Sequence, residues 1–260
     1  MIRVLVNGAL GRMGTEVCKT VMAQDDMDLS GVVDINGADK TIPYYDGGVF
    51  GVDTDLENAI TCTRPDVVID FTRPDVVMDN LRKIINMGVN AVVGTTGFTK
   101  ENLEEIDKLA QEKGVGVLIA PNFALGAVVM IKLACEAAKY FPHVEIIEKH
   151  HDKKLDAPSG TAVLTAQKIA EVRAAMKQGN PDEKETMPGA RGADFEGMKI
   201  HSLRLPGYVA SQEVVFGSQG ETLKIISDPI NRECYMPGVM LGCRKILGTK
   251  GLVYGLDKLL

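Results

Sequence analysis

Short apolar runs alternate with helical periodicity through the first half of this chain, and that alternation constrains its fold more than any other feature. "IRVLV", "DLSGVVD", "PDVVIDFT", "VNAVVGTTG" and "VGVLIAPNFALG" read as strands. The first, Ile2–Val6, is nearly all β-branched or leucine, as a strand covered on both sides requires. Between them, "DVVMDNLRKIINMG" and "TKENLEEIDKLAQEKG" are amphipathic. The second has Thr99 as a candidate N-cap and Gly114 as a candidate stop. Repeated strand–helix units predict a doubly wound parallel α/β sheet of the Rossmann type, with ligands at the carboxyl ends of the strands.

Four such ends are rich in small residues: Gly8–Gly14, Asp70–Thr72, Gly94–Gly97 and Ala120–Phe123. Gly8, Gly11 and Gly14 fit G-x-x-G-x-x-G between a strand and a helix, a spacing that lets backbone amides approach a pyrophosphate at the helix's positive end. The second strand ends in Asp34, placed to accept hydrogen bonds from the adenosine ribose. A carboxylate there repels a 2′-phosphate, and Ile35 offers no guanidinium, so NADH is favoured. Arg12 and Lys40 leave NADPH possible.

Composition excludes several classes. A net charge of −6 argues against a nucleic-acid binder, so an anionic ligand needs a local basic patch. Five cysteines without a CxxC pair read as small buried hydrophobes in a reducing compartment. The chain opens on a strand rather than a leader, and no apolar run has bilayer-spanning length. A cytoplasmic protein with no membrane partner is expected.

After Asn122 the pattern changes. "GAVVMIKLACEAAKYF" reads as a helix and "VEIIE" as a strand, and "SLRLPGYVASQEVVFGSQGETLKIISD" as two or three more. These predict a second, α+β domain with an open mixed sheet and little parallel pairing. Residues 176–199 read as a long surface loop. The tail "GVMLGCRKILGTKGLVYGLDKLL" reads as helical and returns to the first domain. The boundaries expected are 1–122 with 231–260 for the dinucleotide domain, and 123–230 for an inserted domain that binds substrate and supports oligomerisation.

The second half holds the densest chemistry, "EKHHDKKLDAPSGTA" at residues 148–162. Adjacent histidines after a strand diverge, and no third ligand stands at useful spacing, so no metal is expected. Lys153 and Lys154 supply positive charge, and Ser159 is a candidate N-cap whose following amides, Gly160 and Thr161, point outward. Lysines with a helix start suit a carboxylate, and a histidine backed by a lysine can handle a proton. Together with a dinucleotide domain these residues suggest hydride transfer to an anionic substrate.

"HHDKKLDAPSGTA" closely resembles the signature of the dihydrodipicolinate reductase family. "NGALGRMG", "DFTRP", "GTTGF", "APNFALG", "HSLRLPG", "QEVVFG" and "YMPGV" extend the resemblance along almost the whole chain. The resemblance implies NAD(P)H-dependent reduction of 4-hydroxy-tetrahydrodipicolinate to tetrahydrodipicolinate on the diaminopimelate route to lysine. It implies dinucleotide contacts from Gly8, Ala9, Leu10, Gly11, Arg12, Met13, Asp34, Gly94, Thr95, Thr96, Ala120, Pro121, Asn122 and Phe123. It casts His150 and Lys154 as the catalytic pair that handles protons. His151, Ser159, Gly160 and Thr161 become the site for the substrate's carboxylates, and a homotetramer built through the second domain's sheets is implied. Ser211 and Ser227 depart from the family's pattern, where histidine is frequent. A related amino- or imino-acid dehydrogenase would lack the Lys154–Thr161 cradle, and a non-catalytic dinucleotide-binding regulator would lack the proton donor.

Overall fold

Valine, isoleucine and leucine dominate the first strands, and the structure covers them on both faces. This computed structural model describes residues 1–260, except the side chain of Asp46. The chain runs through β1 (Ile2–Asn7), α1 (Arg12–Met22), β2 (Met27–Val33), a hairpin of β3 (Thr41–Pro43) and β4 (Val49–Gly51), and α2 (Leu56–Thr63). Then come β5 (Val67–Asp70), α3 (Val77–Asn86), β6 (Asn90–Val93), α4 (Lys100–Lys113) and β7 (Gly116–Ile119). It continues with α5 (Leu125–Ala138), β8 (His143–His150), α6 (Gly160–Ala170), β9 (Ala193–Phe195) and β10 (Met198–Arg204). β11 (Ala210–Ser218), β12 (Glu221–Ser227), α7 (Met236–Ile246) and β13 (Gly251–Tyr254) complete it. Two units result: Met1–Phe123 with Tyr235–Leu260, and Ala124–Cys234.

In the first unit six strands lie in the order β13-β7-β6-β5-β1-β2. Every neighbouring pair is parallel. Val4, Leu5 and Val6 of β1 and Val67, Val68 and Ile69 of β5 expose no surface. Each such side chain contributes about 1.5–3 kcal/mol of apolar burial. α3 brings Val77, Leu81, Ile84 and Ile85, spaced along one helical face, into the same core. α4 begins with a capping box between Thr99 and Asn102 and ends at Gly114 in the left-handed region. The chain winds from β1 to β2 in one direction and from β5 outward in the other. The reversal therefore lies between β1 and β5, the position where such sheets bind ligands.

The tail departs from expectation. It is helical through α7 and again in a short 3-10 helix at Leu256–Leu259, but "GLVY" between them becomes β13, paired in parallel with β7. Gly248 and Gly251, both at positive φ, bracket a turn that stops the helix and starts the strand. The cysteines divide: Cys18 and Cys243 are buried, whereas Cys62 is exposed, so it is no core residue. Burial pushes the Cys18 and Cys243 thiols up to about 12.

The second unit is a five-stranded sheet in the order β12-β11-β8-β10-β9. β8 and β10 run parallel, and the other pairs are antiparallel. α5 and α6 cover one face, where Met130, Ala134, Ala162, Ala166 and Ile169 meet Val144, Ile146, Val214 and Phe216. The other face carries ion pairs, with Glu213 3.5 Å from Lys149 and 3.3 Å from Lys224.

Candidate functional site

The glycine loop after β1 holds its shape by close backbone approach. A Cβ on Gly14 would lie 2.0 Å from the Gly8 carbonyl oxygen, and one on Gly8 would lie 2.8 Å from the Phe71 carbonyl oxygen. Gly8 also sits at φ +82°, open to glycine at little cost. The first contact lets α1 sit against the loop, and the second brings the loops after β1 and β5 together at the sheet's reversal. Gly11 caps α1 without a side chain, and no acidic residue occupies the helix's first turn. Gly11 and Arg12 are exposed there, Leu10 and Met13 are half-buried, and Ala9 is buried. An anion therefore meets a positive helix end with no carboxylate in its first turn.

Asp34 stands just beyond β2 and is 8% exposed. One of its oxygens accepts from the Leu10 amide at 3.1 Å and the other from the Asn36 amide at 2.9 Å. The residue expected to read the ribose thus also ties the glycine loop to the end of β2, which the sequence did not indicate. Each oxygen keeps a lone pair for a further donor. Ile35 beside it is 76% exposed.

The other strand ends converge at the same edge. Asp70 is fully buried and accepts from the Asn7 and Asn80 side-chain amides and from the Thr72 amide and hydroxyl. Burial raises its carboxyl above the ordinary range, and these donors only partly offset that. A Cβ on Gly94 would fall 1.9 Å from the Phe71 ring, so only glycine fits under it. Thr95 is buried and its hydroxyl finds no hydrogen-bond partner among the described residues, while Thr96 is exposed. After β7, Ala120 and Phe123 are buried, Pro121 is exposed and Asn122 half-buried. The Phe123 ring centre lies 5.8 Å from that of Phe71. A small-residue cradle with an unpartnered buried hydroxyl fits a dinucleotide.

In the second unit, β8 extends through His150, so this histidine ends the strand rather than following it. Val144, Ile146, Glu148 and His150 share the helix-covered face by strand alternation. Glu148 exposes no surface. Arg204 of β10 grips it with both terminal Nη nitrogens, at 2.7 and 2.8 Å. The Ser159 amide donates to it at 3.1 Å, and His150 Nδ1 lies 2.5 Å away. Burial alone would raise the Glu148 carboxyl, but Arg204, Ser202 and His150 outweigh it and hold it low. Burial lowers the His150 imidazole, aided by the charges of Lys154 and Arg204, and Glu148's opposing pull does not prevail. The ring is thus neutral at neutral pH. A carboxylate only accepts, so Nδ1 carries the hydrogen and Nε2 is left as the acceptor.

Lys154 lies within electrostatic reach of His150 and is held by Asp156 at 2.7 and 3.0 Å. Ser159 caps α6, accepting from the Ala162 amide at 3.2 Å. Gly160 is exposed, and a Cβ there would meet nothing within 4 Å. The Thr161 carbonyl accepts from the Thr165 hydroxyl at 2.7 Å. His151 is exposed, whereas Ser211 and Ser227 are buried. The structure thus gathers His150, Lys154 and Ser159–Thr161 and adds two residues that the sequence reading missed, Glu148 and Arg204. An acid in the buried phase of "VEIIEKH" was a legible signal for the first. Nothing short of the β8–β10 register reveals the second.

Comparison with known proteins gives the same outline for the whole chain. Residues 2–123 match the family model "Dihydrodipicolinate reductase, N-terminus", and residues 126–260 match "Dihydrodipicolinate reductase, C-terminus". The 4-hydroxy-tetrahydrodipicolinate reductases of Enterococcus faecalis and Listeria monocytogenes are 52% and 51% identical, and each comparison covers all of both chains. The dipicolinate-bound dihydrodipicolinate reductase of Paenisporosarcina sp. TG-14 superposes with a TM-score of 0.91 at 45% identity, again over all of both chains. An amine dehydrogenase of Mycobacterium smegmatis, with a TM-score of 0.64 and 14% identity over 98% of this chain and 95% of its own, shares the fold alone.

Proposed function

Because this chain belongs to the dihydrodipicolinate reductase family over both halves, we propose a division of labour among its residues in the family's reaction. That reaction is NAD(P)H-dependent reduction of 4-hydroxy-tetrahydrodipicolinate on the diaminopimelate route to lysine. The first unit binds the cofactor: Gly8–Met13 receive the pyrophosphate, Asp34 the ribose, and Gly94–Thr96 with Ala120–Phe123 the nicotinamide end. The bound cofactor supplies the hydride. Asp34 followed by exposed Ile35 supports NADH as the preferred form, with NADPH accepted.

The second unit binds the dicarboxylate substrate. Ser159, Gly160 and Thr161 at the start of α6 take a carboxylate, helped by His151 and by the positive charge of Lys154. His150 holds its Nδ1 hydrogen on Glu148 and exchanges a proton through Nε2, and Lys154 donates the proton that completes reduction. The observation that carries this reading is the assembly of His150, Lys154 and the α6 start at one end of β8. The helix-free face of the second sheet, where Ile226 is 55% exposed among charged pairs, supports assembly into a homotetramer. Among the described residues no helix is long and apolar enough to cross a membrane, which is compatible with a cytoplasmic enzyme.

The test couples the protein to a synthase that forms the substrate from pyruvate and aspartate semialdehyde, with NADH and NADPH followed in parallel. Rapid oxidation with NADH ahead of NADPH is expected. Protein that binds NADH but oxidises neither cofactor would refute the reading. A Lys154→Ala variant should bind NADH normally and lose most turnover, and unimpaired turnover would remove Lys154 from the mechanism.

A further inference from the structure

We propose that Glu148 is the positioning residue of this reductase, a single buried carboxylate that sets both the orientation of His150 and the placement of the α6 start. The inference rests on the functional reading above and deepens it. Besides the Ser202 side chain of β10, four donors reach the two oxygens of Glu148 within hydrogen-bond distance. Two come from the Arg204 guanidinium, one from the Ser159 amide and one from His150 Nδ1. Arg204 alone would satisfy a structural ion pair with its two parallel hydrogen bonds. The remaining two donors belong to the pieces that handle the proton and the carboxylate. Oε2 meets the imidazole and Oε1 meets the residue that caps α6.

Arg204 extends the same scaffold. Its Nη2 also donates to the Asp156 carbonyl at 2.8 Å, in the loop that carries Lys154. It pairs directly across from His150 in the parallel β8–β10 register, so the sheet presents the guanidinium beside the carboxylate. The charged groups facing His150 are Glu148 on its own strand, Arg204 from β10 and Lys154 from the following loop. Only Glu148 can accept from Nδ1. It leaves Nε2 as the one ring nitrogen able to exchange a proton with a substrate.

A structural ion pair and a positioning carboxylate make different predictions. Replacing a buried pair by apolar side chains of similar volume is often neutral for stability, whereas removing one partner strands the other. Glu148→Met leaves the half-buried Arg204 guanidinium without its carboxylate and is expected to fold poorly. The double variant Glu148→Met with Arg204→Met removes both charges and should melt close to the wild type. In that variant turnover should fall about 100-fold, in the range that general acid–base groups supply. Inhibition by pyridine-2,6-dicarboxylate should weaken about tenfold as the helix start loses its tether, while NADH affinity stays unchanged.

Nitrogen NMR on ring-labelled histidine, with His150 assigned through a His150→Asn variant, should show a single Nδ1–H tautomer in the wild type. The double variant should show a mixture. Wild-type turnover in a stable double variant would overturn the proposal, as would an Nε2–H tautomer in the wild type. A wild type without turnover would refute the functional reading alone, since the ring tautomer and dicarboxylate affinity still judge Glu148.

Discussion

Replacing Gly14 by alanine sets two effects of opposite sign against each other. On helix propensity alone the change stabilises α1 by about 1 kcal/mol. Against that, the added Cβ falls 2.0 Å from the Gly8 carbonyl oxygen and 2.8 Å from the Ala9 Cα. Both are backbone atoms and cannot swing aside. A carbon and a carbonyl oxygen settle at about 3.3 Å even in close contact, so helix and loop must part by about 1.3 Å. Overpacking of this kind costs roughly 1–3 kcal/mol, which outweighs the propensity gain. The same displacement pulls the helix amides from the phosphate position. Losing one hydrogen bond to a charged group, about 1.5–3 kcal/mol, weakens NADH about 10- to 150-fold. The chain has no tryptophan, so the emission of bound NADH can be titrated with little protein background. Gly14→Ala should melt lower and bind NADH at least tenfold more weakly, yet keep its affinity for pyridine-2,6-dicarboxylate. Wild-type NADH affinity in this variant would refute the argument that this contact seats the cofactor.

Three further outcomes are expected. Ile35→Arg, at an exposed position where a new side chain displaces nothing, should lower the KM for NADPH about tenfold through a charge-assisted contact to the 2′-phosphate; an unchanged NADH-to-NADPH ratio would sink the Asp34–Ile35 reasoning. Gly160→Ala meets no neighbour within 4 Å and should leave melting unchanged or slightly raised while increasing the substrate KM, so a KM equal to wild type would remove Gly160 from the carboxylate site. In acid, unfolding followed by circular dichroism should ease in two stages. His150 is lowered from 6.5, chiefly by burial, so the unfolded chain protonates first and stability declines as pH falls below that value. Glu145 and Glu148 are held below 4.5 despite burial, by Arg191 with His201 and by Arg204 respectively; their contribution is complete above 4.5 and is lost as pH falls through their folded values. A profile flat down to the ordinary carboxylate value would contradict the His150 assignment.

The parallel sheet was legible because each of its inner strands is a short apolar run bounded by turn residues, a pattern with one economical solution. β13 was not, because "GLVY" follows a helical stretch with only a glycine-bracketed turn between them, and four apolar residues carry no period of their own. The β3–β4 hairpin and α2 escaped for the same reason, being three- and eight-residue elements of mixed polarity. Thr99, Gly114 and Ser159 were identifiable because caps are local chemistry, and the structure places each one as a cap. Glu148 was within reach, since alternation puts it in phase with Val144 and Ile146 on the buried face. Arg204 was not, because its partner lies on a different strand and the pairing register joins them. The dual role of Asp34 was hidden similarly, as its hydrogen bond to Leu10 closes a loop across two strands.

The order of the two units along the chain has a consequence for synthesis. The first unit is assembled from Met1–Phe123 and Tyr235–Leu260, with all of Ala124–Cys234 made in between. While that intervening stretch emerges, β7 stands as an unprotected edge, and the hydrophobic surface destined for Val239, Met240, Cys243 and Ile246 of α7 stays uncovered. Such an edge is a template for pairing with another chain, and domains that close late are the ones most exposed to misassembly. The nascent protein therefore passes through a window in which its second unit can mature while its first cannot. Shortening that window, by circular permutation that brings residues 235–260 ahead of β1, should raise the folded yield at high expression.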